Sequence, residues 1–175
     1  LLTGVVQVND LTADGIRVAL GESGETSPPG RPLHPSDLDL PVTVILETLE
    51  LRDIELLVGT APPRRVDVIT LAARLQDHQL KLEQLQVLAP EGGLTGGGSI
   101  ALTEVMPIQL SVQWSWRLPD ERQLAGELEV AGDAREIGIE HRGLGDVPVN
   151  LQGKLLNILT QPGWDLDLTW PELPL

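Results

Sequence analysis

The chain has 175 residues but no cysteine, no phenylalanine, no tyrosine and only four tryptophans. Without thiols there is no disulfide frame, no thiolate metal site and no cysteine nucleophile. Without rings, a core loses the side chains that usually supply much of its buried area. What this chain buries or presents must therefore come from Leu, Val and Ile, which make a smooth surface resembling hydrocarbon. Basic residues are also scarce: 12 Lys and Arg stand against 26 Asp and Glu, a formal net charge of −14. That balance excludes the basic footprint nucleic acid requires. It also excludes the Lys/Arg clusters that dock proteins on anionic membrane surfaces. No apolar run approaches the ~18 residues of a transmembrane helix. The chain starts at Leu1 without a signal-like charged region, so it is expected to be a segment of a longer protein.

What is present is alternation. In Ile108 to Trp116, the residues Ile108, Leu110, Val112, Trp114 and Trp116 share one face of an extended strand. Gln109, Ser111, Gln113 and Ser115 share the other. A period of two with one apolar and one polar face is the mark of a half-buried strand. The pattern returns as Trp164, Leu166, Leu168 and Trp170. Gly98, Ile100 and Pro107 lead into the first copy, and Gly153, Leu155 and Pro162 into the second. Leu118-Pro119 and Leu173-Pro174 close them. The stretches 98–119 and 153–174 thus read as an internal repeat, which predicts a stacked, elongated β segment spanning 1–175 as one unit.

The rest of the chain fits this frame. Val6 and Val8 predict a first strand, and Asp14-Gly15 a hairpin-like turn into Ile16, Val18 and Leu20. Residues 21–39 carry Pro28, Pro29, Pro32 and Pro35 among Ser, Gly and Glu, and read as a surface loop. Val42, Val44 and Leu46 share a face, but Leu49 and Leu51 switch phase, which predicts a bulge near Glu47-Thr48. Ile54, Leu56 and Val58 follow. Val66 to Leu75 form the next strand, Asp77-His78 a turn, and Leu82 to Leu85 a second phase change. Leu71–Leu88 and Lys154–Leu159 have some helical spacing, though the alternation Leu80-Lys81-Leu82-Glu83 favours a hairpin for the first. Beyond them, strands recur with turns every ~8–12 residues, the all-β pattern.

Candidate chemistry is thin. His34, His78 and His141 stand alone, without metal-ligand spacing; His141, beside Arg142, reads as a solvated strand end. Glu47, Glu50, Asp53 and Glu55 alternate with apolar residues, as the wet face of a sheet does, and lack the cleft a paired-carboxylate hydrolase needs. Ser99 follows Gly96-Gly97-Gly98, but no nucleophile elbow or phosphate loop forms, and the glycines suit a tight turn or bulge. No catalytic residue, metal or cofactor is indicated. The apolar stripe remains. It fits either the core of a closed sandwich or an elongated antiparallel sheet curled into an open trough, aliphatic inside and charged outside.

Some motifs add to this reading. Leu40-Pro41-Val42 leading into Leu49-Glu50-Leu51-Arg52-Asp53 resembles the LPV…LxLxDG pattern of AsmA-like repeats, with Ile54 where Gly is usual. Gly126 to Gly132, Val147 to Gly153 and Trp164 to Pro171 resemble the mid-region of the TamB family. The resemblance implies an inner-membrane-anchored protein that crosses the Gram-negative periplasm as a β-trough and partners a TamA-like outer-membrane barrel of the Omp85 type. It further implies a role in autotransporter assembly and phospholipid movement to the outer membrane, and no catalysis. The expected hydrophobic groove is the inward stripe: Val42, Val44, Leu46, Leu56, Ile100, Leu102, Ile108, Leu110, Val112, Trp114, Leu128, Val130, Val149, Leu151, Leu166 and Leu168. An aliphatic trough suits phospholipid acyl chains. A structural β-solenoid or adhesin stalk with a dry core is the other class the pattern admits.

Overall fold

A computed structural model describes residues 4–20, 42–59 and 62–170. Eleven strands make one sheet: β1 (Gly4–Asp14), β2 (Arg17–Leu20), β3 (Val42–Val58), β4 (Arg64–Gln76), β5 (Gln79–Ala89), β6 (Gly92–Ala101), β7 (Ile108–Arg117), β8 (Gln123–Gly132), β9 (Glu136–Gly143), β10 (Asn150–Leu156) and β11 (Gly163–Thr169). From β3 to β11 the chain is an antiparallel meander, each strand pairing with the next. The sheet is open, with β1 and β2 along one edge and β11 at the other. Neither region with helical spacing is a helix: the first lies in β4, the turn and β5, and the second runs from the end of β10 into a turn. The loop 21–39, His34 and the closing Leu173-Pro174 lie outside the described residues.

Local chemistry explains the meander. Asp77 and His78 form a two-residue link between Gln76 and Gln79, with φ of 49° and 62°. Two positive φ values identify a type I′ turn, whose twist matches that of the flanking strands. The predicted phase changes are register shifts. β3 carries one extra residue between Leu46 and Leu49 against β4. β5 carries one between Leu82 and Leu85 against β6. Each bulge lets the leucines change parity in sequence while staying on one face in space.

The start of the chain differs from expectation. Asp14-Gly15 makes no hairpin. β1 and β2 both pair in parallel with β3, Asp14 opposite Arg52 and Arg17 opposite Glu55, so the register is the same before and after the break. Gly15 (φ 69°) and Asp53 (φ 49°) are the matching left-handed residues of the two strands. Gly15 N–H donates to the Arg52 carbonyl at 3.1 Å, and Glu55 N–H to the Ile16 carbonyl at 2.8 Å. The pair is a shared kink across adjacent strands. Beyond it Ile54 is buried, at 3% exposure.

Among the described residues no second layer covers this sheet. Every substantial contact between strands joins sheet neighbours. Among the described residues only Ile54, Ala134 and Ile137 are buried hydrophobics. A sandwich requires two inner faces that interdigitate; here there is one sheet, so the sandwich reading fails and the open trough holds.

Candidate functional site

Following the hydrogen-bonded partners across the sheet aligns the apolar side chains into transverse rows. One row runs Leu46, Ala73, Leu82, Gly98, Leu110, Val130, Ile139, Gly153 and Leu166. The row beside it runs Val44, Leu75, Leu80, Ile100, Ile108, Gly132, Ile137, Leu155 and Trp164. On the other side lie Leu49, Leu71, Leu85, Gly96, Val112, Leu128, His141, Leu151 and Leu168. The opposite face holds Ser99, Gln109, Ser111, Gln113, Glu127, Glu129, Glu140 and Gln152. Period-two side chains, kept in parity by the bulges, therefore make one continuous face, aliphatic apart from His141, Trp164 and the glycines, with a polar back.

Of the expected groove residues, Val44, Leu46, Ile100, Ile108, Leu110, Val112, Leu128, Val130, Leu151 and Leu166 lie in these rows and are half-buried. Leu168, in the same face at the β11 edge, is 52% exposed. Trp114 lies one row further, between Leu94 and Gly126. Val42 opens β3 opposite Gly4. Leu102 and Val149 stand in connections just outside strands, at the two rims of the face. Leu56 lies past the kink and meets the others through a cavity described below. Residues of β4, β5 and β9 that complete the rows, such as Leu71, Leu82 and Ile139, carry the same alternation in the sequence.

The polar back is held by side-chain pairs between and along the strands. Gln113, Glu127 and Arg142 lie in line across β7, β8 and β9: Gln113 Nε2–H donates to Glu127 at 3.2 Å, and Arg142 pairs with the same carboxylate. Lys154 meets Glu136 at 2.6 Å, which holds its ammonium above the ordinary lysine range. The clustered carboxylates each have a partner: Glu47 accepts from Gln7 at 2.7 Å, Glu50 pairs with Arg52, Asp53 with Arg65, and Glu55 with Arg17 at 2.8 Å. Among the described residues no group of His, Cys, Asp and Glu could hold a metal ion.

His141 is not a solvated strand end. It lies in an aliphatic row, two residues after Ile139, and stacks on Trp114 with ring centroids 5.7 Å apart. The Trp114 indole N–H donates to His141 Nε2 at 3.1 Å. Indole is only a donor, so Nε2 is the unprotonated acceptor. Gly126 makes room for the pair: a Cβ there would sit 2.4 Å from His141 Nε2. The glycines Gly96 to Gly98 do not form a tight turn. They lie within β6, Gly98 opposite Leu110, where a Cβ would come 2.2 Å from the Gln109 carbonyl oxygen. They do flank a bulge, the extra residue being on β5.

The curl is measurable at one rim. Leu56 from β3, Val66 from β4, Val87 from β5, Leu94 from β6, and Trp114 and Trp116 from β7 line one cavity of about 620 Å³. β3 and β7 are four strand steps apart, roughly 19 Å in a flat sheet. Their sharing one cavity means that the sheet folds over at this rim. Arg64, Arg65 and Glu91 stand in the same lining. The arrangement can hold an apolar molecule of small-ligand size without a covalent step.

Residues 22–175 match the family model of TamB, N-terminal domain. No curated protein and no solved structure matches the chain. Among the described residues no helix is long and apolar enough to cross a membrane.

Proposed function

We propose, since this chain belongs to the TamB family, that its aliphatic face is a stretch of conduit along which phospholipid acyl chains move towards the outer membrane. The family is one of transport and assembly, tied to the translocation and assembly module and to outer-membrane biogenesis. The chain is one repeat-built periplasmic segment of a longer, inner-membrane-anchored trough whose far end meets a TamA-like barrel. The observation that supports the reading is the face left open among the described residues: rows of Leu, Val and Ile cross the sheet from β3 to β11 with no second layer of described residues over them. Moving an acyl chain from water onto such a surface is favourable by about 0.8 kcal/mol per CH₂ buried. The gain is non-directional, so a chain can slide from row to row.

A photo-crosslinking amino acid placed at Leu110 or Val130, and separately at Gln109 or Glu129, tests this. The inward pair should capture phospholipid from cells, and the outward pair should not. Capture of unfolded outer-membrane protein instead would make polypeptide the cargo. Capture of nothing at inward positions would leave a structural stalk and remove the conduit.

A further inference from the structure

The rim cavity differs from the rest of the trough in two ways. Its lining includes two inward tryptophans, Trp114 and Trp116, whereas the other two, Trp164 and Trp170, are 74% and 65% exposed at the β11 end. It also holds one guanidinium without a carboxylate partner. Among the described residues Arg17, Arg52, Arg65, Arg74, Lys81, Arg122, Arg142 and Lys154 each have a carboxylate partner. Arg64, Arg117 and Arg135 have none. Arg64 lines the cavity. In a chain of net charge −14, one of the three guanidiniums unpaired among the described residues thus stands in the lining of this Trp-lined hollow.

From this geometry we infer that the cavity seats a single zwitterionic glycerophospholipid, its acyl chain against Trp114 and Trp116 and its phosphate on Arg64. A free guanidinium presents a planar fork of donors that matches phosphate oxygens. Glu91, in the same lining and without an ion-pair partner, is the complement for a cationic amine on the head group. Phosphate and ammonium together select an ethanolamine-type head over an anionic one, in keeping with an acidic chain that repels anionic surfaces. The cavity volume, about 620 Å³, is that of a small-ligand site, so it takes the head group and the adjoining stretch of acyl chain while the rest of the lipid lies along the open trough. Trp114 is fixed for the contact by its bond to His141. The inference rests on the conduit reading and assigns it a head-group-selective station.

The test uses the Trp164→Phe, Trp170→Phe double variant, whose remaining emission comes from Trp114 and Trp116. Phosphatidylethanolamine with brominated acyl chains should quench that emission, and brominated phosphatidylglycerol should quench it at least several-fold less well. Arg64→Ala should weaken binding about ten- to a hundred-fold, the loss of one charge-assisted contact. Arg64→Lys should recover part of it, and Glu91→Gln should erase the preference for ethanolamine. Arg64 is exposed and unpaired, so its variants should keep the parent thermal midpoint. Quenching unchanged in Arg64→Ala, or equal for both lipids, overturns the inference. Lipid captured at Leu110 without quenching at Trp114 and Trp116 removes the station and leaves the conduit standing. Absence of both removes both.

Discussion

Leu110→Asp separates an open trough from a packed core. Leu110 sits half-buried in the middle of β7, with Gly98 on one side and Val130 on the other. Full burial of a leucine side chain is worth about 1.5–3 kcal/mol. Partial burial on an open face brings the loss to about 1–2 kcal/mol by the same scale. The new carboxylate reaches water along the trough beside Gly98, so its desolvation adds about 1 kcal/mol or less. The expected destabilisation is therefore about 1–3 kcal/mol. In a closed core the same carboxylate would be buried and unpaired, adding about 3–5 kcal/mol. The sum would then match most of a domain's stability of ~5–15 kcal/mol. Urea unfolding followed by circular dichroism should show a folded Leu110→Asp protein with a lowered midpoint. Gln109→Asp, on the polar back opposite Ala131 and Ser99, should unfold like the parent. Lipid binding by native mass spectrometry should fall for Leu110→Asp alone, because a passing acyl chain must desolvate the charge. A Leu110→Asp chain that cannot fold while Gln109→Asp folds would refute the open face.

Gly126→Val should drive a side chain into His141, break the Trp114 hydrogen bond and cost about 1–3 kcal/mol in overpacking; tryptophan emission that stays at the parent wavelength would contradict the assigned contact. Lys154 is raised by its bond to Glu136, and a raised basic group stabilises fully below its unfolded value, about 10.4. That contribution is lost as pH climbs through the higher folded value, so the thermal midpoint should drop in this alkaline window less in Lys154→Met than in the parent. Equal alkaline profiles would remove Lys154 from the balance.

Where alternation was unbroken, the sequence carried the fold. The parity switches at Leu46/Leu49 and Leu82/Leu85 were visible as bulges because leucine marks the inward face on both sides of each. Asp77-His78 was visible as a turn because two strand patterns meet there with no residue to spare. Asp14-Gly15 looked the same locally, yet its partner is Asp53, and a parallel pairing across a long connection leaves no local trace. His141 reads as a strand end from its neighbour Arg142, although its parity with Ile137 and Ile139 places it among the aliphatics. In β6 the alternation passes through Gly96 and Gly98, which have no side chain to reveal it. The rim cavity was out of reach, because it depends on how far the sheet turns between Leu56 and Trp116.

A sheet whose substantial strand contacts all join neighbours behaves like a one-dimensional crystal. Each strand contributes its own stability and two interface terms, so a substitution in β10 should be silent in β4. No central core sets a size at which growth must stop. Each further strand lengthens the same apolar lane by about 4.8 Å and asks nothing of strands already in place. Reach then depends only on how many strands are added, and a break in one rung loosens the ladder there and spares its far end.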